Sequence, residues 1–164
     1  MRYRAEQYVW EVLRLALGFI FLWAFLDKLF GLWFATPTNQ AWLGGSSPTY
    51  RFLKFGVQGA LANVYHQLAG SAVVDWLFML GLLGIGLGLS LGIMVRLASL
   101  AGVLLLLLMF SALSLPPTNN PLLDEHIIYA VVLVGIYFTR PGQWLGLAGW
   151  WRKLALVRGY PWLE

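Results

Sequence analysis

Three ionisable side chains open an apolar segment near the C-terminal end of the sequence. Asp124, Glu125 and His126 stand in the stretch NPLLDEHIIY, and the residues that follow, AVVLVGIYFT, carry no charge. Histidine is the side chain whose charge ordinarily changes near neutral pH, so it can take up or release a proton. The pattern is therefore that of a candidate proton-exchange site, with His126 as acid or base and a neighbouring carboxylate as relay.

The same stretch also has the features of a helix start. Asn120 followed by Pro121 is typical of an N-cap and a first helical residue. Asp124 and Glu125 would then lie at the end of the first turn, where the helix dipole favours carboxylates by about 0.3–1 kcal/mol. This explains the two carboxylates without any chemistry, but it does not explain His126. A structural and a functional role for His126 both stay open.

Two basic residues lie within the first apolar segment. On a helix, Arg14 and Lys28 fall about 40° from one another and about 21 Å apart along the axis. Glu11 precedes Arg14 by one turn. An intramembrane charge costs free energy unless it is paired or hydrated, so we expect Arg14 to face the interior, paired with Glu11 or another carboxylate. The alternative is a side chain that reaches back to lipid phosphates.

Further candidate residues stand near the C-terminal end of the first apolar segment, at the start of the second, or on the same helix face as His126. Lys28, beside Asp27, is either a border pair at the membrane surface or part of an outer-leaflet site. Tyr137 shares its helix face with His126. The predicted catalytic residues are His126, Asp124, Glu125 and Asp75, and the predicted cofactor-binding residues are Lys28, Arg14 and Tyr137.

The composition indicates an integral membrane protein. Of the 164 residues, 60% are hydrophobic and 11% are charged, whereas a soluble domain carries about 25% charged residues. The mean hydropathy is +0.72. The segments 76–95 and 97–123 contain no charged residue, and each exceeds the roughly 18 apolar residues that indicate a transmembrane helix. The first apolar segment lacks a cleavage pattern, so we expect it to be retained as a helix.

We predict an all-α bundle of four transmembrane helices in a single membrane domain. The apolar stretch 76–115 would form one helix of about 60 Å, twice the hydrocarbon thickness of about 30 Å, so the chain must turn back near Arg96. Leu and Val recur at helical spacing in the first long loop, which predicts an amphipathic helix on the outer surface or over the end of the bundle. The predicted boundaries are 8–34, 75–93, 96–115 and 121–139 for the spans, 35–74 for the outer loop, 50–69 for its surface helix, and 140–164 for the tail.

Basic residues predict the orientation of these spans. The positive-inside rule places the N-terminal tail, the turn at Arg96 and the C-terminal tail in the cytoplasm, so both termini are expected there. The basic residues on that side are Arg2, Arg4, Arg96, Arg140, Arg152, Lys153 and Arg158. The acidic residues Asp27, Asp75, Asp124 and Glu125 then share the outer face.

Several kinds of site are excluded by residue type and spacing. The chain has no cysteine, which excludes thiol chemistry and cysteine-ligated iron–sulfur clusters. His66 and His126 stand far apart without an HExxH spacing, so neither a metal site nor a haem is predicted. The net charge of +4 does not suggest nucleic acid binding. Gly84, Gly88 and Gly92 form a small-residue ridge that favours helix packing over a nucleotide loop.

Four stretches of the chain together resemble a known family. They are RLALGFIFLWAFLDKLFG, GIMVRLASL, NPLLDEHIIYAVVL and the tail PGQWLGLAGWWRKLALVRGYPWLE. Each is similar to the DoxX/DoxD family of small four-helix membrane proteins, and the tail is particularly similar to the membrane subunit of thiosulfate:quinone oxidoreductase. The resemblance extends over nearly the whole chain.

The resemblance implies an activity, partners and a location. It implies oxidation of thiosulfate to tetrathionate at the outer face, with membrane quinone as the electron acceptor. His126 and Lys28 would donate hydrogen bonds to the quinone, while Asp124 or Glu125 would relay protons. The implied partners are the lipid bilayer and a DoxA-like companion membrane subunit or a respiratory complex, in the plasma membrane of a prokaryote; a homo-oligomer stays open.

Two functions of different classes follow. The first is a membrane subunit of a quinone-linked oxidoreductase. The second is a non-catalytic assembly or interaction subunit of a respiratory or redox membrane complex, in which the glycine ridge and the aromatic flanks would contact partners. A small transporter is less favoured, because the sequence has neither a broken helix pattern nor an inverted repeat.

Overall fold

The computed structural model describes residues 5–113, 122–139, 141–142 and 145–160. These parts of the chain consist of helices and turns and contain no strand. The first helix, α1, covers Ala5–Phe30. It ends because Gly31 adopts a left-handed conformation (φ 68°) and donates its N–H to the carbonyl of Asp27 at 2.8 Å. Glycine takes this conformation without the steric cost that other residues meet. The predicted C-terminal boundary at residue 34 was therefore too late.

The long outer loop contains short helical pieces rather than one surface helix. After two 3₁₀ turns, Thr38–Gln40 and Trp42–Gly44, the chain forms a π-helical turn, Phe52–Gly56, and then α2, Ala62–Leu68. The predicted continuous helix over 50–69 is wrong. Val57 is extended and Gly59 has a φ of 98°, so the helical path is interrupted between the two pieces.

This loop packs on the end of the helix that corresponds to the third predicted span, 96–115. Leu53 and Val57 form a small buried cluster with Ala112, which follows that helix directly. The Tyr65 hydroxyl lies 2.5 Å from Ser111 Oγ and donates to the carbonyl of Leu108 at 3.0 Å. The loop is therefore tied to the last turn of this helix, at a carbonyl that also accepts the N–H of Ala112 at 3.2 Å.

Two helices form a tight hairpin where the sequence predicted one. α3 covers Ala72–Leu91 and α4 covers Val95–Ser111. Between them Gly92 (φ 71°) and Met94 (φ 49°) are left-handed, and the N–H of Ile93 bonds the carbonyl of Gly88 at 3.1 Å. Such a motif closes a helix C-terminus and reverses the chain.

The last long helix, α5, covers Glu125–Thr139, followed by the short helices α6, Ala148–Trp151, and α7, Ala155–Gly159. The predicted start of α5 at Pro121 differs from this, because Leu122 to Asp124 are not helical and the side chain of Asp124 caps the helix. Asn120 and Pro121 themselves lie outside the described residues.

The four long helices contact one another in a closed order. α1 packs on α3, α3 on α4, α4 on α5, and α5 back on α1. The core between them is apolar; its most completely buried side chains are Met79, Leu89, Leu133 and Ile136. Since α4 follows α3 through a tight turn and the end of α5 lies by the start of α4, α5 runs antiparallel to α4. One end of the structure, the hairpin end, holds Gly92; the other, the loop end, holds the outer loop.

Within the part of the chain that the structure describes, two helices are long and apolar enough to span a membrane, α1 and α3. Only 28% of the most apolar 18-residue stretch of α1 is buried inside the protein, and only 39% of the corresponding stretch of α3. α4 and α5 are shorter apolar helices. All four expose large apolar side chains on their outer surfaces, among them Val12, Phe19, Leu77, Leu80, Leu100, Leu104, Val131 and Val134.

Candidate functional site

The hairpin end contains a buried ion pair within α1. Arg14 Nη2 lies 2.9 Å from Glu11 Oε2, and neither side chain is more than 1% exposed. Arg14 also donates to the carbonyls of Leu89 and Ser90 at the end of α3, and to that of Leu145 at 2.8 Å. Glu11 Oε1 accepts the N–H of Gly142 at 2.6 Å. One ion pair thus joins α1 to the end of α3 and to the segment after α5.

These contacts assign a structural task to Arg14. The pairing with Glu11, one of the two arrangements expected from the sequence, is present. The guanidinium donates to carbonyls at the end of α3, where a helix leaves carbonyls without a partner, and its five described hydrogen bonds match the five N–H groups that an arginine side chain carries. A ligand would have to displace those bonds. Arg14 therefore lies apart from the other predicted site residues at the loop end.

At the loop end, Asp27 fixes the turn that follows α1. Its side chain is 1% exposed, and its two oxygens accept the backbone N–H groups of Phe34 at 3.2 Å and Ala35 at 3.0 Å. Within this turn Trp33 has a φ of 66°, an uncommon value for a bulky residue. The buried carboxylate thus holds the chain in a turn that it would otherwise avoid.

Asp75 performs a similar task for another part of the outer loop. One oxygen, Oδ1, accepts hydrogen bonds from Ser47 Oγ at 2.8 Å, Thr49 Oγ1 at 2.5 Å and the Thr49 N–H at 3.3 Å. Sequence reasoning missed Ser47 and Thr49; their hydroxyls in the stretch SSPT were the available signal. These bonds tie the outer loop to the first turn of α3.

Lys28 occupies a half-buried position between α1 and α3. Its Nζ lies 6.0 Å from the centroid of the Phe78 ring, at the limit of a cation–π contact. No hydrogen bond or ion pair of Lys28 occurs among the described residues. A cation beside an aromatic ring is an arrangement that an electron-rich oxygen of a ligand could use.

His126 forms a pair with Asp124 at the start of α5. His126 Nδ1 lies 2.6 Å from Asp124 Oδ2, and the other carboxylate oxygen accepts the N–H of Ile127 at 3.2 Å. The carboxylate therefore caps the helix and orients the imidazole at once. Glu125, by contrast, is exposed and is the first residue of the helix, where the helix dipole stabilises its negative charge.

Tyr137 lies at the hairpin end, away from His126. The guanidinium carbon of Arg96 is 5.1 Å from the centroid of its ring. Lys28, Asp75 and the Asp124–His126 pair share the loop end, but no described hydrogen bond or ion pair connects these three groups. The site residues thus divide between the two ends of the structure, with the Asp124–His126 pair as the pair best suited to proton exchange.

Comparison of the chain with protein-family models, curated proteins and solved structures finds no significant match.

Proposed function

We propose that the protein is a bundle of four membrane-spanning helices, with both termini in the cytoplasm. The support is the outward-facing apolar side chains of α1, α3, α4 and α5, which would lie in water in a soluble protein. A soluble monomer rarely exposes a contiguous apolar surface larger than a few hundred Å². Arg96 and Lys153 at the hairpin end favour that end as the cytoplasmic one.

Single cysteines test this topology without background, because the chain has none of its own. Lys54 and Lys153 are both exposed lysines, so Lys54→Cys and Lys153→Cys are a matched pair. In intact cells a membrane-impermeant maleimide should label the cysteine at position 54 alone, and after permeabilisation both. Labelling of both in intact cells would reject the proposed topology.

Within this bundle we propose a function as the membrane subunit of a quinone-linked oxidoreductase. The observation that carries it is the Asp124–His126 pair at the loop end, where protons can pass between the imidazole and water outside. When the ring is neutral, the bond to Asp124 favours the proton on Nδ1 and leaves Nε2 as the acceptor. Such a carboxylate-oriented imidazole is suited to transferring protons repeatedly.

The proposed reaction balances with thiosulfate as the electron donor. Two thiosulfate ions form the central sulfur–sulfur bond of tetrathionate and release two electrons, and quinone takes up these electrons with two protons to become quinol. Lys28 beside Phe78 is the group proposed to donate a hydrogen bond to a quinone oxygen. The identity of the donor, thiosulfate or a related sulfur compound, rests on the family resemblance.

Thiosulfate-dependent reduction of a water-soluble quinone analogue by the purified protein, alone and with a companion subunit, tests this proposal. We expect His126→Gln to lower the rate by about 10²-fold or more, the usual contribution of general acid–base catalysis. The matched control is His66→Gln, since the one polar contact of the His66 ring among the described residues is with the carbonyl of Val57, at 3.4 Å. Equal rates for the two variants would contradict a catalytic role for His126.

A second function, as a non-catalytic assembly subunit, is favoured by one other observation. The loop end exposes many large apolar side chains, among them four that are between 69% and 75% exposed: Trp33, Phe34, Leu43 and Phe55. In this function they would contact a partner subunit. Absence of quinone reduction with any companion, together with loss of complex formation in Trp33→Ser, would favour this function over the first.

A further inference from the structure

Among the described residues, two hydrogen-bond donors are buried without a partner. Both stand on α4 at the hairpin end, along its seam with α5. Arg96 lies over the ring of Tyr137, which holds its guanidinium against α5. Within the described part of the chain, Arg96 Nε is buried and has no hydrogen-bond partner. An unpaired donor of a charged group is among the most costly groups to bury.

Ser99 supplies the second donor. It stands three residues after Arg96 on α4, where helical spacing brings side chains close together. Its side chain is 0% exposed and its Oγ has no partner among the described residues. Gly102, one turn further, packs against Leu133 of α5, so this stretch of α4 faces its neighbour helix.

The missing acceptor is not one of the carboxylates whose contacts are known. Glu11 is engaged by Arg14 and by the Gly142 N–H. Asp27, Asp75 and Asp124 lie at the loop end, with backbone, hydroxyl or imidazole donors of their own. A guanidinium N–H and a hydroxyl can both donate hydrogen bonds to one oxygen atom. A negatively charged oxygen is the better acceptor, because hydrogen bonds to an ionised acceptor are stronger.

We propose that the seam between α4 and α5 binds a phosphate-type oxyanion, with one oxygen accepting hydrogen bonds from Arg96 Nε and Ser99 Oγ. In the four-span bundle proposed above, the hairpin end lies at the cytoplasmic membrane border, where anionic lipid headgroups supply such oxygens. The source is therefore the phosphate of an anionic lipid or free phosphate. Tyr137 contributes by holding the guanidinium against α5.

Thermal unfolding of the detergent-purified protein tests this site, with phosphatidylglycerol, phosphatidylcholine or inorganic phosphate added. We expect phosphatidylglycerol to raise the Tm of the unsubstituted protein more than phosphatidylcholine does. Arg96→Gln should abolish this difference, and Ser99→Ala should reduce the apparent affinity by about tenfold, the usual effect of losing one charge-assisted bond. Arg96→Lys keeps the charge but lacks the planar Nε donor, so we expect it to resemble Arg96→Gln.

Lys153→Gln is the matched control, because it removes an exposed positive charge from the same end of the protein. If Lys153→Gln loses as much as Arg96→Gln, lipid attraction is a general charge effect and the site is rejected. A Ser99→Ala protein that responds as the unsubstituted one does would show that water alone satisfies these donors, which also rejects it.

The two sources and the membrane proposal are separable. Stabilisation by inorganic phosphate that depends on Arg96 and Ser99 supports the oxyanion site with free phosphate as the source, even if cysteine labelling rejects four spans. Native mass spectrometry provides a measurement that does not depend on unfolding: the unsubstituted protein should retain bound phosphatidylglycerol, and Ser99→Ala should retain less. Retention of no anionic lipid and no response to phosphate would overturn the proposal.

Discussion

Glu11 and Arg14 form a buried ion pair on one helix that connects three parts of the protein. The 2.9 Å contact between Arg14 Nη2 and Glu11 Oε2 leaves the remaining donors of Arg14 for the end of α3 and for Leu145. Glu11 in turn holds Gly142. In this region Gly92, Gly142 and Gly146 approach so closely that a Cβ added to Gly92 would lie 3.2 Å from Gly142 Cα. The pair therefore fixes how the segment after α5 joins the bundle.

Removing one member of this pair should be more harmful than removing both. We expect Arg14→Gln or Glu11→Gln to lower the free energy of unfolding by about 3–5 kcal/mol, since each leaves a buried charge without its partner. The double change Glu11→Gln with Arg14→Gln should cost less than the sum of the two single changes. Denaturation in detergent, followed by helical ellipticity, measures all three. Additive losses would contradict direct coupling of the two side chains.

The two roles of Asp124 can be separated by substitution. Asparagine caps helices as well as aspartate does, so Asp124→Asn should leave the free energy of unfolding within about 0.5 kcal/mol, whereas Asp124→Ala should lower it by about 1 kcal/mol. The amide no longer favours the proton on Nδ1 of His126, so both variants should lose quinone reduction. Full activity of a stable Asp124→Asn protein would mean that orientation by the carboxylate is unnecessary.

Asp27 and Asp75 provide a matched comparison of two buried carboxylates. Both oxygens of Asp27 accept backbone N–H groups, but all described bonds to Asp75 end on Oδ1. Asparagine has one acceptor oxygen. Asp27→Asn should therefore lose a bond and place an amide N–H against a backbone N–H, costing about 1–3 kcal/mol more than Asp75→Asn. Tm values of the two variants, compared in the same detergent, check this; equal values would contradict it.

The glycines of α3 should differ sharply in their tolerance of alanine. A Cβ at Gly86 would lie 2.7 Å from the backbone nitrogen of Leu22, so α1 and α3 would have to separate; we expect a loss of about 1–3 kcal/mol. At Gly84 a Cβ meets nothing within 4 Å, so Gly84→Ala should be neutral or slightly stabilising. Thermal unfolding of both variants is the measurement. A destabilised Gly84→Ala protein would point to a contact with another chain on that face.

The same glycines show how far spacing alone can predict packing. The sequence grouped Gly84, Gly88 and Gly92 into one ridge, since they recur every four residues. In the structure Gly84 is open, Gly88 faces Ala98 of α4, and Gly92 lies at the hairpin beside Arg14. Spacing identifies residues that share a face, but it does not say which neighbour, if any, covers each position along that face.

Local chemistry along the sequence is by itself enough to predict the four long helices and the hairpin of this protein, although not every helix end and not the helical pieces of the outer loop. Apolar segment lengths, the single charge at Arg96 and the glycine near it predict them, because helix propensity and chain reversal depend on neighbouring residues. The pairing of Arg14 with Glu11 follows in the same way from a separation of three residues.

Tertiary structure decided where each ionisable group belongs. Asp27, Asp75 and Asp124 look alike in the sequence, yet one holds a turn, one holds a loop, and one both caps a helix and orients His126. In the sequence, Arg96 is simply the charged residue at a predicted turn. In the structure it lies over the ring of Tyr137, and its Nε is buried. These differences depend on groups far away in the chain, and a buried charge takes its role from whichever distant donors or acceptors the fold brings within hydrogen-bond reach.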